Sequence, residues 1–411
     1  MRWIMRISEG IKLMLQRTED LLDRSGNVVL FVILLILGTI AKVYMFRIGN
    51  FDLDGYLVPW YDYIVSHGHF AALKDEFADY NVPYLYLLTL TTFLPVAKYS
   101  AIKLISLVFD FLGAFAAYKI VGLKYQSKTL RMATFLAVFL APTVLVNGAY
   151  WGQSDIIYTT FILWSVYFAF KKKGNLSAIS FGLAFSFKMQ ALFLLPLIGI
   201  FLIKKLMKIR HLIYIPVTYY MLLLPSFAAG RDLIDLLSIY LKQIARSGDY
   251  LMLSLSSANL YQLFDPGNYF EIAGAGQLIA LIACISIIFY AFKMRKSLDK
   301  ALILKLGLFN ILIVTYFLPN MHERYFFVAD ILSIVLAFYI PRLFYMPIVI
   351  GFSSLLSYLP FLKGEERGNI VDIRVLAAAV GIIIILLARE LVKDVYINRT
   401  AKGLEGTPVK C

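Results

Sequence analysis

Three carboxylates crowd the segment Phe51 to Asp62, F-D-L-D-G-Y-L-V-P-W-Y-D, in a chain of 411 residues with 40 Lys and Arg but only 26 Asp and Glu. Ionisable groups that emerge at a water-lipid boundary with no cation beside them usually have a function, and a carboxylate is suited to take a proton from a hydroxyl. Asp52 or Asp54 could be that base. The competing role is structural, because Asp is a good N-cap and an interfacial helix could begin near Gly55.

Four further groups of polar residues interrupt apolar sequence. Tyr80, Asn81 and Tyr84 lie in A-D-Y-N-V-P-Y; Trp151, Gln153 and Asp155 in A-Y-W-G-Q-S-D; Lys188 and Gln190 in F-S-F-K-M-Q-A-L; His322, Glu323 and Arg324 in P-N-M-H-E-R-Y. Asn259 and Tyr261, in S-S-A-N-L-Y-Q-L-F, either line the same cavity or shape their loop. A guanidinium such as Arg324 makes forked contacts to phosphate, Lys188 adds a point charge, and His322 adds a third donor. Each group also has an ordinary role: Trp151 as a membrane-belt aromatic, Gln153 and Asp155 as a helix cap, Lys188 as a snorkelling side chain, and His322 to Arg324 as a local ion pair. His67 and His69 read as polar loop surface, since two histidines without carboxylate or cysteine partners are weak metal ligands. No metal site is indicated, although a divalent ion is compatible with the residues present.

These groups need elements that bring them together. Mean hydropathy is +0.76 and 60% of residues are hydrophobic, more than a soluble domain carries, so the chain reads as a polytopic helical membrane protein. The net charge of +14 sits in short clusters between apolar runs, as in cytoplasmic loops facing anionic lipid, and does not imply nucleic acid. The expected fold is an all-α transmembrane bundle with about 12 membrane helices, including a short helix hairpin, plus interfacial helices in the first outer loop. Residues 1–26 read as a cytoplasmic amphipathic helix, 27–392 as one membrane domain with outer loops 47–100 and 229–270, and 393–411 as a cytoplasmic tail. Expected spans include Asn27–Phe46, Ala101–Val121, Met132–Ala149, Ile156–Phe170, Leu212–Ala228, Glu271–Phe292, Ala301–Leu318, Arg324–Ile340, Leu343–Pro360 and Ile370–Leu391.

Two segments decide the topology. Val82–Pro95, about 14 residues, is too short for an upright span and is placed in the outer interface. The run from Leu176 to Ile203 holds Lys188 and Gln190 near its middle and is bracketed by basic clusters, so it reads as two short helices meeting at Lys188–Gln190. The loops near Lys119–Arg131, Lys171–Lys173, Lys204–Arg210 and Lys293–Lys300 then share one side with both termini, as the positive-inside rule requires. All the polar motifs fall on the other side, although none was used to set the topology. No internal repeat is visible. Cys284 and Cys411 imply no disulfide.

A carboxylate facing Lys, Arg and His at a membrane surface suits glycosyl transfer from a polyprenyl-phosphate sugar. The cations hold the leaving phosphate, the carboxylate deprotonates the acceptor hydroxyl, and single displacement inverts the anomeric carbon. A transporter or flippase of lipid-linked sugars, or a surface-polysaccharide polymerase or ligase using a diphosphate donor, would also need cations.

The ordered set of acidic first outer loop, Y-N-x-P-Y-L-Y, W-G-Q-S-D, F-K-M-Q-A-L-F-L-L-P and M-H-E-R-Y-F-F, covering about residues 27 to 340, resembles the GT-C superfamily of integral-membrane glycosyltransferases. Within it the chain looks like prokaryotic mannosyltransferases related to the GPI-anchor mannosyltransferase II. It is more distantly similar to the dolichyl-phosphate-glucose glucosyltransferases, whose F-K-Q-M-A-L and H-E-K segments match Phe187–Leu192 and His322–Arg324. The resemblance implies a catalytic Asp in the first outer loop, at Asp52 more readily than Asp54, because relatives have an acidic residue eight before the Trp matched by Trp60. It also implies a lipid-phosphate sugar donor, extracytoplasmic chemistry, often no required metal, and a glycan, glycolipid or protein acceptor. Arg324 stands where the glucosyltransferase-like relatives have Lys. The expectation is therefore a multi-pass enzyme of the prokaryotic plasma membrane that moves a hexose, with mannose favoured by the resemblance.

Overall fold

The computed structural model describes residues 26–249, 252–264, 269–363 and 370–405. The amphipathic segment expected before Gly26 and the last residues of the tail lie outside them.

Helix α1 (Gly26–Met45) is apolar all round and leaves Val29, Ile33, Leu37 and Ile40 about half exposed, which only a lipid environment tolerates. It is fastened by a buried ion pair, Lys42 Nζ to Asp110 Oδ2 at 2.6 Å, with Lys42 also 4.4 Å over the Phe139 ring. Gly38 permits the approach, since a Cβ there would lie 2.3 Å from Leu140 Cδ2. The segment expected as the first outer loop is largely helical: a π-helical turn at Leu53–Leu57, α2 (Val58–Ser66), a 3-10 turn at His69–Lys74 and α3 (Val82–Thr91). Short helices thus occur where interfacial helices were expected, and α3, at 10 residues, is too short to span a bilayer.

Helix α4 (Lys98–Val121) follows, and then the segment expected as one span from Met132 to Ala149 proves to be broken. Helix α5 (Lys128–Phe139) ends before Pro142, whose missing N–H and ring disrupt the ladder, and the chain resumes as Pro142–Trp151 bent by 43°. Its last part, Leu145–Trp151, is π-helical and stops at Gly152, with φ +85, a conformation that favours glycine. The break delivers Trp151 and Gln153 to the acidic loop. Helix α6 (Asp155–Phe170) then leads to the hairpin.

The hairpin consists of α7 (Gly174–Phe187), a 3-10 turn at Met189–Leu194 and α8 (Leu195–Ile203), with Lys188 extended at the break. A Cβ on Gly174 would lie 3.1 Å from Met207 Cα, so the chain runs out to Lys188 and back to where it started. Helix α9 (Tyr214–Ala228) packs against α7. The expected loop 229–270 contains an amphipathic helix, α10 (Leu233–Asp249), whose apolar residues recur at helical spacing without forming a long apolar run. Helices α11 (Tyr269–Lys293), α12 (Lys300–Phe317), α13 (Phe327–Tyr339), α14 (Tyr345–Lys363) and α15 (Ile373–Glu405) complete the bundle.

Two expectations need correction here. The span expected from Arg324 begins at Phe327, leaving Arg324 in a turn. The boundary at 392 falls inside α15, one helix continuing to Glu405. The all-α expectation holds: among the described residues the fold is helical apart from one short parallel pair, β1 (Ser254–Leu255) with β2 (Met321–His322). Among the described residues, seven helices are long and apolar enough to cross a bilayer, or eight if the bent pair is one span.

Candidate active site

Asp52 sits where a helix cap would, yet its side chain makes no capping bond. Its Oδ2 instead accepts from the Trp151 indole N–H at 2.9 Å and from Gln153 Nε2 at 2.8 Å. Tyr80 O–H donates to Gln153 Oε1 at 3.1 Å, which fixes the amide orientation so that its NH2 faces the carboxylate. Burial pushes the Asp52 carboxyl above the usual range, opposed by the charge of Arg324 and the Trp151 hydrogen bond. A raised carboxyl is a better base near neutral pH.

The loop is held in register by groups that the sequence reading passed over. Asn50 Nδ2 donates to the Trp151 carbonyl at 3.0 Å, while its Oδ1 accepts from Leu53 N–H at 3.0 Å. The buried ammonium of Lys103, on α4, donates to Ile48 O at 2.6 Å and Tyr150 O at 2.7 Å, tying the acidic loop to the π-helical turn that carries Trp151. Lys103 is a lone cation within an apolar run. That signal could have found it.

Trp151 joins two halves of the site. It is fully buried, against Tyr358 and Phe361, and is not a belt aromatic. The Arg324 guanidinium carbon lies 5.6 Å from its ring centre, a cation-π contact, while the indole N–H holds Asp52. Arg324 also pairs with Glu323 Oε1 at 2.9 Å and stands 3.9 Å from Asp155 Oδ2. Burial favours the neutral guanidine, but Glu323 and Asp155 outweigh it and hold Arg324 firmly charged. Glu323 is likewise opposed by burial, yet the neighbouring His322 and the Arg324 charge hold its carboxyl below the ordinary value. His322 Nδ1 lies 3.7 Å from Glu323 Oε2.

Asp155 is fully buried and caps nothing. Its Oδ1 pairs with Lys188 and its Oδ2 accepts from Asn147 at 3.0 Å. Lys188 therefore does not snorkel: its side chain is 14% exposed and packed against this carboxylate. The break between α7 and the 3-10 turn exists where this lysine turns inward. Tyr325 hydrogen-bonds Gln190, and burial pushes its phenol up to about 12.

Asp52, Tyr80, Trp151, Gln153, Asp155, Lys188, Gln190, Glu323, Arg324 and His322 thus form one connected network drawn from five separate stretches of chain. Asp54 stays outside it: its exposed carboxylate accepts a hydrogen bond from Tyr99. Asn81 is structural, capping α3 and donating to the Ser186 carbonyl at 2.9 Å. Tyr84 packs edge-on to Tyr80. Tyr261 anchors its loop through Phe317 O at 2.5 Å. Asn259 is fully buried with both side-chain polar atoms unpartnered, and its loop is stitched to the His322 segment by the β1–β2 pair and by Glu323 N–H to Leu255 O at 3.0 Å. Among the described residues no group of three or more His, Cys, Asp or Glu is placed to hold a metal.

No protein-family model and no curated protein matches this chain.

Proposed function

We propose that the chain is an inverting membrane glycosyltransferase of the GT-C type, transferring a hexose from a polyprenyl-phosphate sugar to a hydroxyl of a glycan, glycolipid or protein. The observation that carries this reading is the buried Asp52 carboxylate, set by one tryptophan against a buried guanidinium that the surrounding acids keep charged. Asp52 accepts the acceptor hydroxyl's proton as that oxygen bonds to the anomeric carbon. The carbon-oxygen bond to phosphate breaks, and the leaving phosphate takes the electron pair and settles against Arg324, with Lys188 and His322 beside it. The side chains supply the cations, so the proposal calls for no metal.

Arg324 and Lys188 already carry carboxylate partners, Glu323 and Asp155, which keep two buried cations stable while the pocket is empty of phosphate. The unpartnered amide of Asn259 is suited to a sugar hydroxyl. Mannose is the hexose favoured by the resemblance. Under this proposal the bent pair counts as one span, the hairpin as two, and the shorter apolar helices α6 and α13 as one each, for about 12 membrane helices. In this reading the site faces outward from a prokaryotic plasma membrane, with both termini cytoplasmic.

The test is incubation of the purified protein with a panel of polyprenyl-phosphate sugars and acceptor glycans, following release of free polyprenyl phosphate. Release by the native protein but not by Asp52→Asn supports the proposal. Equal release by both removes Asp52 as the base, and uptake of lipid-linked sugar into vesicles without cleavage would make the protein a transporter.

A further inference from the structure

The far end of the bundle holds a second feature that the transfer chemistry does not use. Helices α4, α6, α12 and α13 each have one end near the Asp52 network and the other at a lysine-rich basin, so helix rise puts the two roughly 20 to 30 Å apart. The basin is a cavity of 680 Å³ lined by Lys124, Lys172, Lys204, Lys296 and Lys300, with Asp299 the single acid on its wall. Asp299 is committed as a helix cap, accepting from Leu302 N–H at 2.8 Å. Lys124 donates to the Tyr339 carbonyl at 2.5 Å and Lys204 to the Arg295 carbonyl at 3.4 Å. Among the described residues, Lys172, Lys296 and Lys300 have no carboxylate within ion-pair reach.

Local backbone geometry adds a second, independent observation. Helix α6 closes with Lys172 at φ +55, and α8 with Lys205 at φ +58, next to the basin-lining Lys204. Both helix ends are the type at which glycine normally relieves the strain of a left-handed residue. Keeping lysine at such a position on the cavity wall, Lys172, and at a second one beside the wall residue Lys204 favours a use for the clustered charge. The charge needed only for orientation could have been placed anywhere in these loops.

We propose that this basin binds the phosphate of an anionic lipid headgroup in the leaflet opposite the Asp52 site. Its lining includes apolar Phe170, Leu206 and Ile303, and the half-exposed Phe289 and Phe292 of α11 lie a few residues before the basin-lining Lys296, an apolar surface that acyl chains can use and a soluble anion would not need. Clustered lysines between membrane helices at headgroup level attract such lipids.

The experiment is native mass spectrometry of the full chain in detergent with phosphatidylglycerol or phosphatidylcholine added. The variants are Lys172→Gln/Lys296→Gln/Lys300→Gln and, as an equal-charge control, Lys128→Gln/Lys208→Gln/Lys293→Gln. Retained phosphatidylglycerol should fall about fivefold for each basin lysine removed and be little changed in the control. Equal loss in both triples, or no preference for phosphatidylglycerol over phosphatidylcholine in the native protein, overturns the proposal. So does displacement of the lipid by inorganic phosphate at matched concentration, which would make the basin a site for free anions. The readout is independent of glycosyl transfer.

Discussion

The indole N–H of Trp151 reaches Asp52 Oδ2 at 2.9 Å, so that a residue with no titrating group adds to burial and Arg324 in setting how readily the proposed base takes its proton. The same ring supports Arg324. Base and phosphate-binding cation are therefore coupled through one rigid aromatic side chain, and the site responds to changes in it from both directions.

Replacing Asp52 with Asn keeps the shape but removes the proton acceptor. Transfer should fall by about 10²- to 10⁴-fold, measured as polyprenyl phosphate released, while donor binding persists. Asp54→Asn, altering an exposed carboxylate bound to Tyr99, should stay within about twofold. Comparable losses in both variants would count against the assignment.

Stability should move the opposite way. Because the folded-state pKa of Asp52 is raised, its contribution is fully present below the unfolded carboxylate pKa and is lost as pH rises through the folded value. Asp52→Asn should thus melt at higher temperature than the native protein at neutral pH, with the gap closing toward acid pH. A thermal melt in detergent across pH decides this. A gap that widens toward acid pH would show that the carboxyl is lowered.

Trp151→Phe retains a ring under Arg324 but deletes the hydrogen bond that pulls the Asp52 pKa down. The acid limb of the pH-rate profile should shift to higher pH, with turnover recovering on the alkaline side. An unshifted limb would mean that the indole only packs.

Asp155→Asn leaves the buried Lys188 without its counter-charge, and breaking such a pair costs about 3 to 5 kcal/mol. Lys188→Met alone should destabilise similarly, whereas the double variant Asp155→Asn/Lys188→Met should recover part of the loss. Denaturation in detergent reads all three. Additive losses would mean that the pair is not coupled.

Sidedness is open to direct labelling. Gln153 is buried, so a cysteine there would report nothing, but Phe51 is 75% exposed. Phe51→Cys should react with an impermeant thiol reagent from outside intact cells, and a cysteine replacing the exposed Lys172 only after the membrane is opened. The reverse pattern would invert the proposed topology.

Much of the architecture was legible in the chain because its determinants are local. Apolar run length, charge clusters at run ends and one lysine in mid-run are properties of neighbouring residues. They marked the spans and the turn at Lys188. The kink at Pro142 was equally local, yet it was missed because composition stays apolar through the bend. Helix α10 escaped because its apolar residues recur at helical spacing without forming a run.

Sequence by itself established a helical membrane chain with polar groups gathered in a few interruptions, since transfer free energy depends on composition and length alone. Only the tertiary structure showed that Asp52 is buried against Trp151 and Gln153 while Asp54 is exposed beside Tyr99. Two carboxylates separated by one residue have nearly the same local sequence, and what distinguishes them is a tryptophan some hundred positions away that can reach one and not the other. Partners for Lys188, Asn50 and Lys103 are non-local in the same sense, because hydrogen bonds are directional and depend on where packing brings the distant donor or acceptor.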